Sequence, residues 1–177
     1  MKKRKIINYA IGPIGSAAVG FITLPIITWF YSIEDIGRIS MLQVVTQFIV
    51  LIFSLGLDQN YVRNYYENKD KPQLFKACFI PGFIILSIFS ILIILINPYI
   101  LSELLYDTKS VLLSLISILC FFFLFSTRFL SLILRMQEQS LAYSMSQLIP
   151  KLLFLALILG IVIFNLEKNT YTLIIAH

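Results

Sequence analysis

Long apolar blocks separated by short polar segments fill this chain. The five complete blocks are residues 6–31, 39–57, 77–101, 110–134 and 144–164, and a sixth block occupies residues 170–177. A helix of about 20 apolar residues crosses the ~30 Å hydrocarbon core of a bilayer. The polar residues within the blocks are too few to alternate as the strands of a barrel would, so the blocks are expected to be helices. The pattern therefore predicts five full membrane spans and a truncated sixth.

The segments between the blocks are short and polar. Residues 58–76 form the longest predicted loop, and residues 32–38 and 102–109 are predicted to be turns on the other side of the membrane.

The composition excludes an ordinary soluble domain. The 177 residues are 59% hydrophobic and only 13% charged, whereas a soluble domain is about half apolar and a quarter charged. We predict an all-α fold, a polytopic transmembrane helical bundle, with residues 1–177 forming a single transmembrane domain. Cys78 and Cys120 both fall inside apolar blocks, where they are expected to pack as small apolar residues. Their spacing indicates neither a disulfide framework nor a metal site, and no cofactor is predicted.

The net charge of +5 is unevenly distributed. All but three of the 14 lysines and arginines precede the first block, follow the second block or flank the turn between the fourth and fifth blocks. The three exceptions are Arg38, Lys109 and Lys168. This asymmetry is typical of loops that stay in the cytoplasm, so the N-terminus is predicted to be cytoplasmic. It also argues against nucleic acid as the partner of the basic residues.

Two blocks contain polar side chains at helical spacing. Gln43, Gln47, Ser54 and Asp58 follow one another at steps of four, seven and four residues, which places them on one face of a helix. Such residues either pack against other helices or line a wet cavity, and both interpretations remain open. The first block repeats small residues on one face, at Gly12, Ser16 and Gly20, which favours close helix packing.

Arg128 is the most informative charge, because it lies within the fourth apolar block about two turns from its end. Arg128, Ser131, Arg135 and Glu138 are predicted to share one helix face. An arginine at this depth is costly unless it snorkels, pairs or meets water. Its planar fork also suits phosphate oxygens. A snorkelling arginine and a basic mouth for an anionic substrate are both compatible with the sequence.

Several segments together resemble the N-terminal part of a known transporter family. They are the turn at residues 31–37, the run LGLDQNYVRNYYE at residues 55–67, and RMQEQ at residues 135–139. The chain is similar in these segments to polysaccharide biosynthesis proteins. These are O-antigen or capsule flippases of the MATE-like multidrug/oligosaccharidyl-lipid/polysaccharide exporter superfamily. The turn departs from the family pattern at Ile33, where proline is usual. Family members carry twelve to fourteen spans in two lobes, so the resemblance implies one incomplete N-terminal lobe.

The resemblance implies a flippase and not an enzyme. Its substrate would be an undecaprenyl-diphosphate-linked oligosaccharide, moved across the bacterial inner membrane. The expected partners are this lipid-linked substrate, membrane lipid, and a second lobe or chain that completes the bundle. From chemistry and depth, Arg128 and Arg135 are candidates to bind the diphosphate, with Arg63 third. Gln43 and Gln47 are candidates to meet sugar hydroxyls.

Three alternatives remain. A drug or cation antiporter of the same superfamily would need a carboxylate inside the membrane, and Asp58 is predicted to lie only at a helix end. A membrane acyltransferase would need a histidine-based acid/base pair, and His177 is the single histidine. A chain that holds one incomplete lobe could also be inert, and we expect residues 1–177 not to transport by themselves.

Overall fold

The computed structural model describes residues 2–163, with side chains described from residue 7 to residue 161. Within that range the chain forms seven helices: α1 (Lys2–Phe30), α2 (Ile33–Ser54), α3 (Leu57–Asn64), α4 (Lys71–Ile96), α5 (Ile100–Tyr106), α6 (Val111–Met136) and α7 (Ser140–Ile163). By length and composition α1, α2, α4, α6 and α7 can cross a membrane. The predicted all-α transmembrane bundle is thereby confirmed. The predicted sixth block, residues 170–177, lies outside the described residues.

The turn predicted at residues 32–38 is shorter than expected, because α2 already begins at Ile33. Ser32 Oγ accepts a hydrogen bond from the backbone N–H of Asp35 (3.1 Å) and donates one to Asp35 Oδ2 (2.6 Å). This reciprocal arrangement satisfies one of the free N–H groups at the helix start.

Helix α4 begins at Lys71, six residues before the predicted start of the third block. Asp70 caps the helix, since its side chain accepts a hydrogen bond from the backbone N–H of Gln73 at 3.1 Å. Pro72 lies in the first turn, where the missing N–H of proline removes no intrahelical hydrogen bond. The cap therefore extends the helix into a polar segment that apolar patterning assigned to a loop.

Two short helices also replace predicted loops. The segment 58–76 contains most of α3, and the segment 102–109 contains most of α5. In α3 the buried residues Asp58 and Tyr61, followed by Tyr65 at the C-cap, recur at helical spacing. The overall polarity of these segments hides this narrow buried face.

The chain divides into two compact units, Met1–Ser40 with Gln137–His177 and Met41–Met136. In the first unit α1 packs closely on α7. A Cβ added to Gly12 would lie 2.7 Å from Ser144 Cα, and the Ser144 hydroxyl donates to the carbonyl of Asn8. A Cβ at Gly20 would meet no described atom within 4 Å. Close contact therefore occurs at Gly12 and not along the whole predicted face of small residues.

In the second unit α4 and α6 pack antiparallel through aromatic side chains. The ring centroids of Phe75 and Phe129 are 6.4 Å apart, those of Phe79 and Phe125 are 5.5 Å apart, and those of Phe83 and Phe122 are 5.1 Å apart. Residue numbers rise along α4 as they fall along α6, which fixes the register. This packing places the C-terminal half of α6 beside the N-terminal half of α4, next to α3.

Candidate functional site

An ion pair joins α3 to α6 in the second unit. The guanidinium of Arg128 donates from Nε (3.0 Å) and from Nη2 (2.6 Å) to the same oxygen, Oδ2 of Asp58. The other oxygen, Oδ1, accepts the backbone N–H of Gln59 at 2.9 Å. The Asp58 side chain is only 8% exposed, whereas that of Arg128 is 43% exposed. The carboxylate is therefore enclosed by protein while the guanidinium remains partly open.

A sharp reversal of the backbone brings Asp58 to this position. Leu55 and Gly56 follow α2 with φ values of 51° and 71°. Glycine adopts this left-handed conformation without a Cβ clash, whereas for Leu55 it is strained. The reversal starts α3 at Leu57 and places Asp58 in its first turn, where the helix dipole favours a negative charge.

Aromatic packing holds α3 in place. Tyr61 and Tyr65 are buried, and the Tyr61 ring lies 6.0 Å from that of Phe75 on α4. The Lys71 ammonium lies 4.3 Å from the centroid of the Tyr65 ring. Burial raises the pKa of Tyr61, and the neighbouring Tyr65 raises it further, so the Tyr61 hydroxyl stays neutral. The apolar anchor therefore fixes the helix that carries Asp58.

Arg128 lies eight residues before the C-terminal residue of α6, which is about 12 Å along the helix axis. Of the three ways to accommodate such an arginine, the structure shows pairing. A guanidinium has five N–H donors in a planar fork. Two of them bind Asp58, and the other three, on Nη1 and Nη2, make no hydrogen bond to any residue that the structure describes. The arrangement can accept a second anionic partner at the open edge.

The predicted polar face of α6 is shorter than expected. Arg135 is exposed on α6, and the Ser131 hydroxyl donates to the carbonyl of Arg128 at 2.7 Å. Glu138 lies beyond the end of α6 at Met136 and has a φ of 56°, so it does not continue the face. Because α6 ends at Met136, which the spacing alone did not predict, Glu138 does not belong to the polar face of α6.

Arg63 and the two glutamines occupy other surfaces. Arg63 is exposed on α3, on the side opposite the buried Asp58 and Tyr61. Gln47 is exposed on α2 and Gln43 is half-buried. They lie about 10 Å and about 16 Å along α2 from its C-terminal end. Asp58 was predicted to share their helix face, which is wrong because the reversal at Leu55 and Gly56 ends that helix.

Sequence reasoning named both members of the ion pair but did not join them. The available signal was that Asp58 and Arg128 are each charges at the margin of, or inside, an apolar block. A buried charge is tolerated mainly when it is paired, so their complementary signs were a usable clue. Among the described residues, no cluster of three or more His, Cys, Asp or Glu side chains could hold a metal ion.

The fold and the paired arginine define a polytopic helical membrane protein with a charged site in its helical bundle. The family model described as "Polysaccharide biosynthesis protein" matches residues 3–176, and the chain belongs to this family. The family resemblance drawn from residues 31–37, 55–67 and 135–139 is therefore confirmed. Comparison with curated proteins and with solved structures found no match.

Proposed function

We propose that this chain acts in flipping an undecaprenyl-diphosphate-linked oligosaccharide across the bacterial cytoplasmic membrane during O-antigen or capsular polysaccharide biosynthesis. The proposal rests on Arg128, which lies within a candidate span and has three N–H donors that make no hydrogen bond to the described residues. The family and its helical fold support a role in polysaccharide biosynthesis at a membrane. A diphosphate is a strong acceptor for the planar fork of arginine.

In this proposal the substrate is divided between three environments. Its polyprenyl tail stays in lipid, its diphosphate meets Arg128, and its sugars lie in a wet cavity. Arg135 and Arg63 add positive charge around the diphosphate, and Gln43 and Gln47 offer amides to sugar hydroxyls. The distribution of basic residues supports a cytoplasmic N-terminus, which would place the C-terminal end of α6 on the cytoplasmic side. Movement of the substrate requires no covalent chemistry, so the protein is proposed to be a transporter and not an enzyme.

Cation antiport is less well supported by this geometry. Asp58 is the enclosed carboxylate of the site, and its Oδ2 already accepts two hydrogen bonds from Arg128. The adjacent guanidinium offsets the negative charge that would attract a transported cation. An anionic substrate is therefore the better match to the available surface of the pair.

Binding of isoprenoid probes tests the proposed contact. The chain, reconstituted in lipid nanodiscs, is titrated with farnesyl diphosphate, farnesyl monophosphate and farnesol. We expect affinity to fall in that order. Arg128→Ala should weaken farnesyl diphosphate binding by about 10- to 100-fold, as expected for loss of about 1.5–3 kcal/mol of charge-assisted hydrogen bonding.

Arg38→Ala is the matched control, because Arg38 is another arginine facing an aspartate, with Nη1 3.8 Å from Asp35 Oδ1. It should bind the diphosphate probe like the unmodified chain. Equal affinity for farnesol and farnesyl diphosphate, or unchanged affinity in Arg128→Ala, would refute the proposed contact.

Transport itself is a separate measurement. The expectation that residues 1–177 do not transport by themselves stays a prediction. Complementation of a flippase-null strain checks it, and restored surface polysaccharide would contradict it.

A further inference from the structure

We infer that Asp58 is a positioning residue, which holds the Arg128 guanidinium by its Nε and Nη2 edge and leaves the adjoining edge, formed by Nη1 and Nη2, available to phosphate oxygens. The inference rests on the proposed function and assigns a role that the sequence motif alone does not give to Asp58. It concerns the orientation of a binding group and not only its charge.

Asp58 binds the Arg128 guanidinium along one edge only. Nε and Nη2 lie on one side of the planar group, and both donate to Asp58 Oδ2. Because the five donors are fixed in one plane, holding this side also fixes the direction of the edge formed by Nη1 and Nη2. The second N–H of Nη2 and the N–H groups of Nη1, which face that edge, make no hydrogen bond to any residue that the structure describes. Two parallel N–H groups on one edge match two oxygens of a phosphate.

Asp58 is itself held in place by contacts other than Arg128. Its Oδ1 accepts the backbone N–H of Gln59, and it lies in the first turn of a helix that Tyr61 anchors against Phe75. The Gln59 N–H therefore holds one oxygen of the carboxylate, and the anchored helix holds the backbone that carries it. An arginine without such an anchor would sample many rotamers and would lose that freedom on binding an anion. Holding the side chain in advance removes this cost.

The two side chains of the ion pair differ in their exposure to solvent. The Asp58 side chain is 8% exposed and the Arg128 side chain 43%. An incoming anion therefore meets the guanidinium first, while the carboxylate that would repel it lies behind the guanidinium. A carboxylate that only competed with the substrate for Arg128 would be expected to be as exposed as the guanidinium.

The test is to compare probe selectivity in variants of Asp58. In nanodiscs, Asp58→Asn keeps the shape of the side chain but weakens its hold on Arg128. We expect farnesyl diphosphate affinity to fall about tenfold, with a smaller fall for farnesyl monophosphate, so that the preference for diphosphate shrinks. A purely structural role would lower both affinities together or neither. Unchanged or increased diphosphate affinity would overturn the inference, and an increase would identify Asp58 as a competitor of the substrate.

Asp58→Glu provides a second variant if Asp58→Asn does not fold. It keeps the charge and the ion pair but displaces the guanidinium by one methylene. Positioning predicts a reduced preference for diphosphate over monophosphate, whereas a simple charge requirement predicts the preference of the unmodified chain. The latter result would refute the positioning role.

The Arg128→Ala result separates this inference from the proposed function. If Arg128→Ala binds the diphosphate like the unmodified chain, the proposed contact itself fails. If Arg128→Ala loses binding while the Asp58 variants keep their selectivity, only the positioning role fails. The exchange variant Asp58→Arg with Arg128→Asp should fold, because the pair is restored, but should not bind the diphosphate. Full binding by that variant would also contradict the inference.

Discussion

Short helices pack against α6 near both of its ends, but they are held by different chemistry. Near the C-terminal end, α3 is held by the charged pair of Asp58 and Arg128. Near the N-terminal end, α5 is held by neutral groups. The backbone N–H of Ser102 donates to Ser114 Oγ at 3.1 Å, and the Tyr106 hydroxyl lies 2.9 Å from Ser117 Oγ. The charged attachment is the one that the proposed function assigns to substrate binding.

The groups that form the neutral attachment of α5 to α6 are buried and bond to one another. Tyr106, Ser102, Ser114 and Ser117 are at most 2% exposed. Since the Ser117 hydroxyl already donates to the carbonyl of Leu113 (2.8 Å), the Tyr106 hydroxyl is the donor to Ser117. Burial raises the pKa of Tyr106, although its hydrogen bond with Ser117 opposes this, so the hydroxyl stays protonated. With its hydroxyls paired and enclosed, this attachment serves stability.

The charged attachment of α3 to α6 leaves N–H donors of Arg128 without a described partner. Arg128 retains three N–H donors without a described partner and is nearly half exposed. Hydroxyls would hold α3 at a lower desolvation cost than an ion pair does. The more costly chemistry at this end is in line with the proposed binding of an anion.

Breaking the charged attachment on one side should cost the most stability. Arg128→Met leaves the enclosed Asp58 carboxylate without its partner. We expect the free energy of unfolding to fall by about 2–3 kcal/mol, less than for a fully buried pair because Arg128 is partly exposed. The double variant Asp58→Leu with Arg128→Met should recover most of that loss but bind no diphosphate probe. Denaturant unfolding in detergent measures the first effect, and a double variant as unstable as the single one would contradict the explanation.

Removing the reversal that carries Asp58 should have the next largest effect, because it lowers stability and binding together. Gly56 has a φ of 71°, and an alanine there would be strained by about 1–2 kcal/mol. Gly56→Ala should therefore lower both stability and diphosphate binding, because it displaces α3. Gly37→Ala is the control, since a Cβ added to Gly37 would meet no described atom within 4 Å outside its own helix backbone and Gly37 has no positive φ. Similar unfolding midpoints for the two variants would show that the reversal is not required.

The neutral attachment should respond in stability alone, and unequally at its two partners. Ser117→Ala leaves the Tyr106 hydroxyl buried without its partner, which should cost about 1–3 kcal/mol. Tyr106→Phe should cost about 1 kcal/mol, because Ser117 keeps its bond to the carbonyl of Leu113. Thermal unfolding ranks the two variants, and both should keep the probe affinity of the unmodified chain. Weakened diphosphate binding in either would remove the contrast between the two attachments.

The smallest effect is expected at Arg63. It lies on the exposed side of α3 and contributes only long-range attraction. Arg63→Ala should weaken diphosphate binding about two- to threefold, in line with about 0.5 kcal/mol for an exposed charge. The effect should disappear at high salt, whereas that of Arg128→Ala should persist. A loss as large as that of Arg128→Ala would make Arg63 a direct contact.

The sequence predicted the class of protein and its family. The five long helices follow from apolar stretches long enough to span a bilayer, which is a local property that no tertiary contact alters. The helices in the polar segments were harder to predict, because α3 and α5 bury only narrow faces. The cap at Asp70 also extends α4 beyond its apolar block, which the apolar pattern did not indicate. Sequence alone therefore located the spans better than the short helices between them.

The candidate site was decided by tertiary structure. Asp58 and Arg128 were each visible as unusual charges, but they are 70 residues apart in the chain. Their contact requires the reversal at Gly56 together with the antiparallel packing of α4 on α6. Local patterns can show that a charge in an apolar segment needs a partner, because burial of an unpaired charge is costly. Only the packing of helices distant in sequence determines which residue supplies that partner and which edge of the arginine it leaves open.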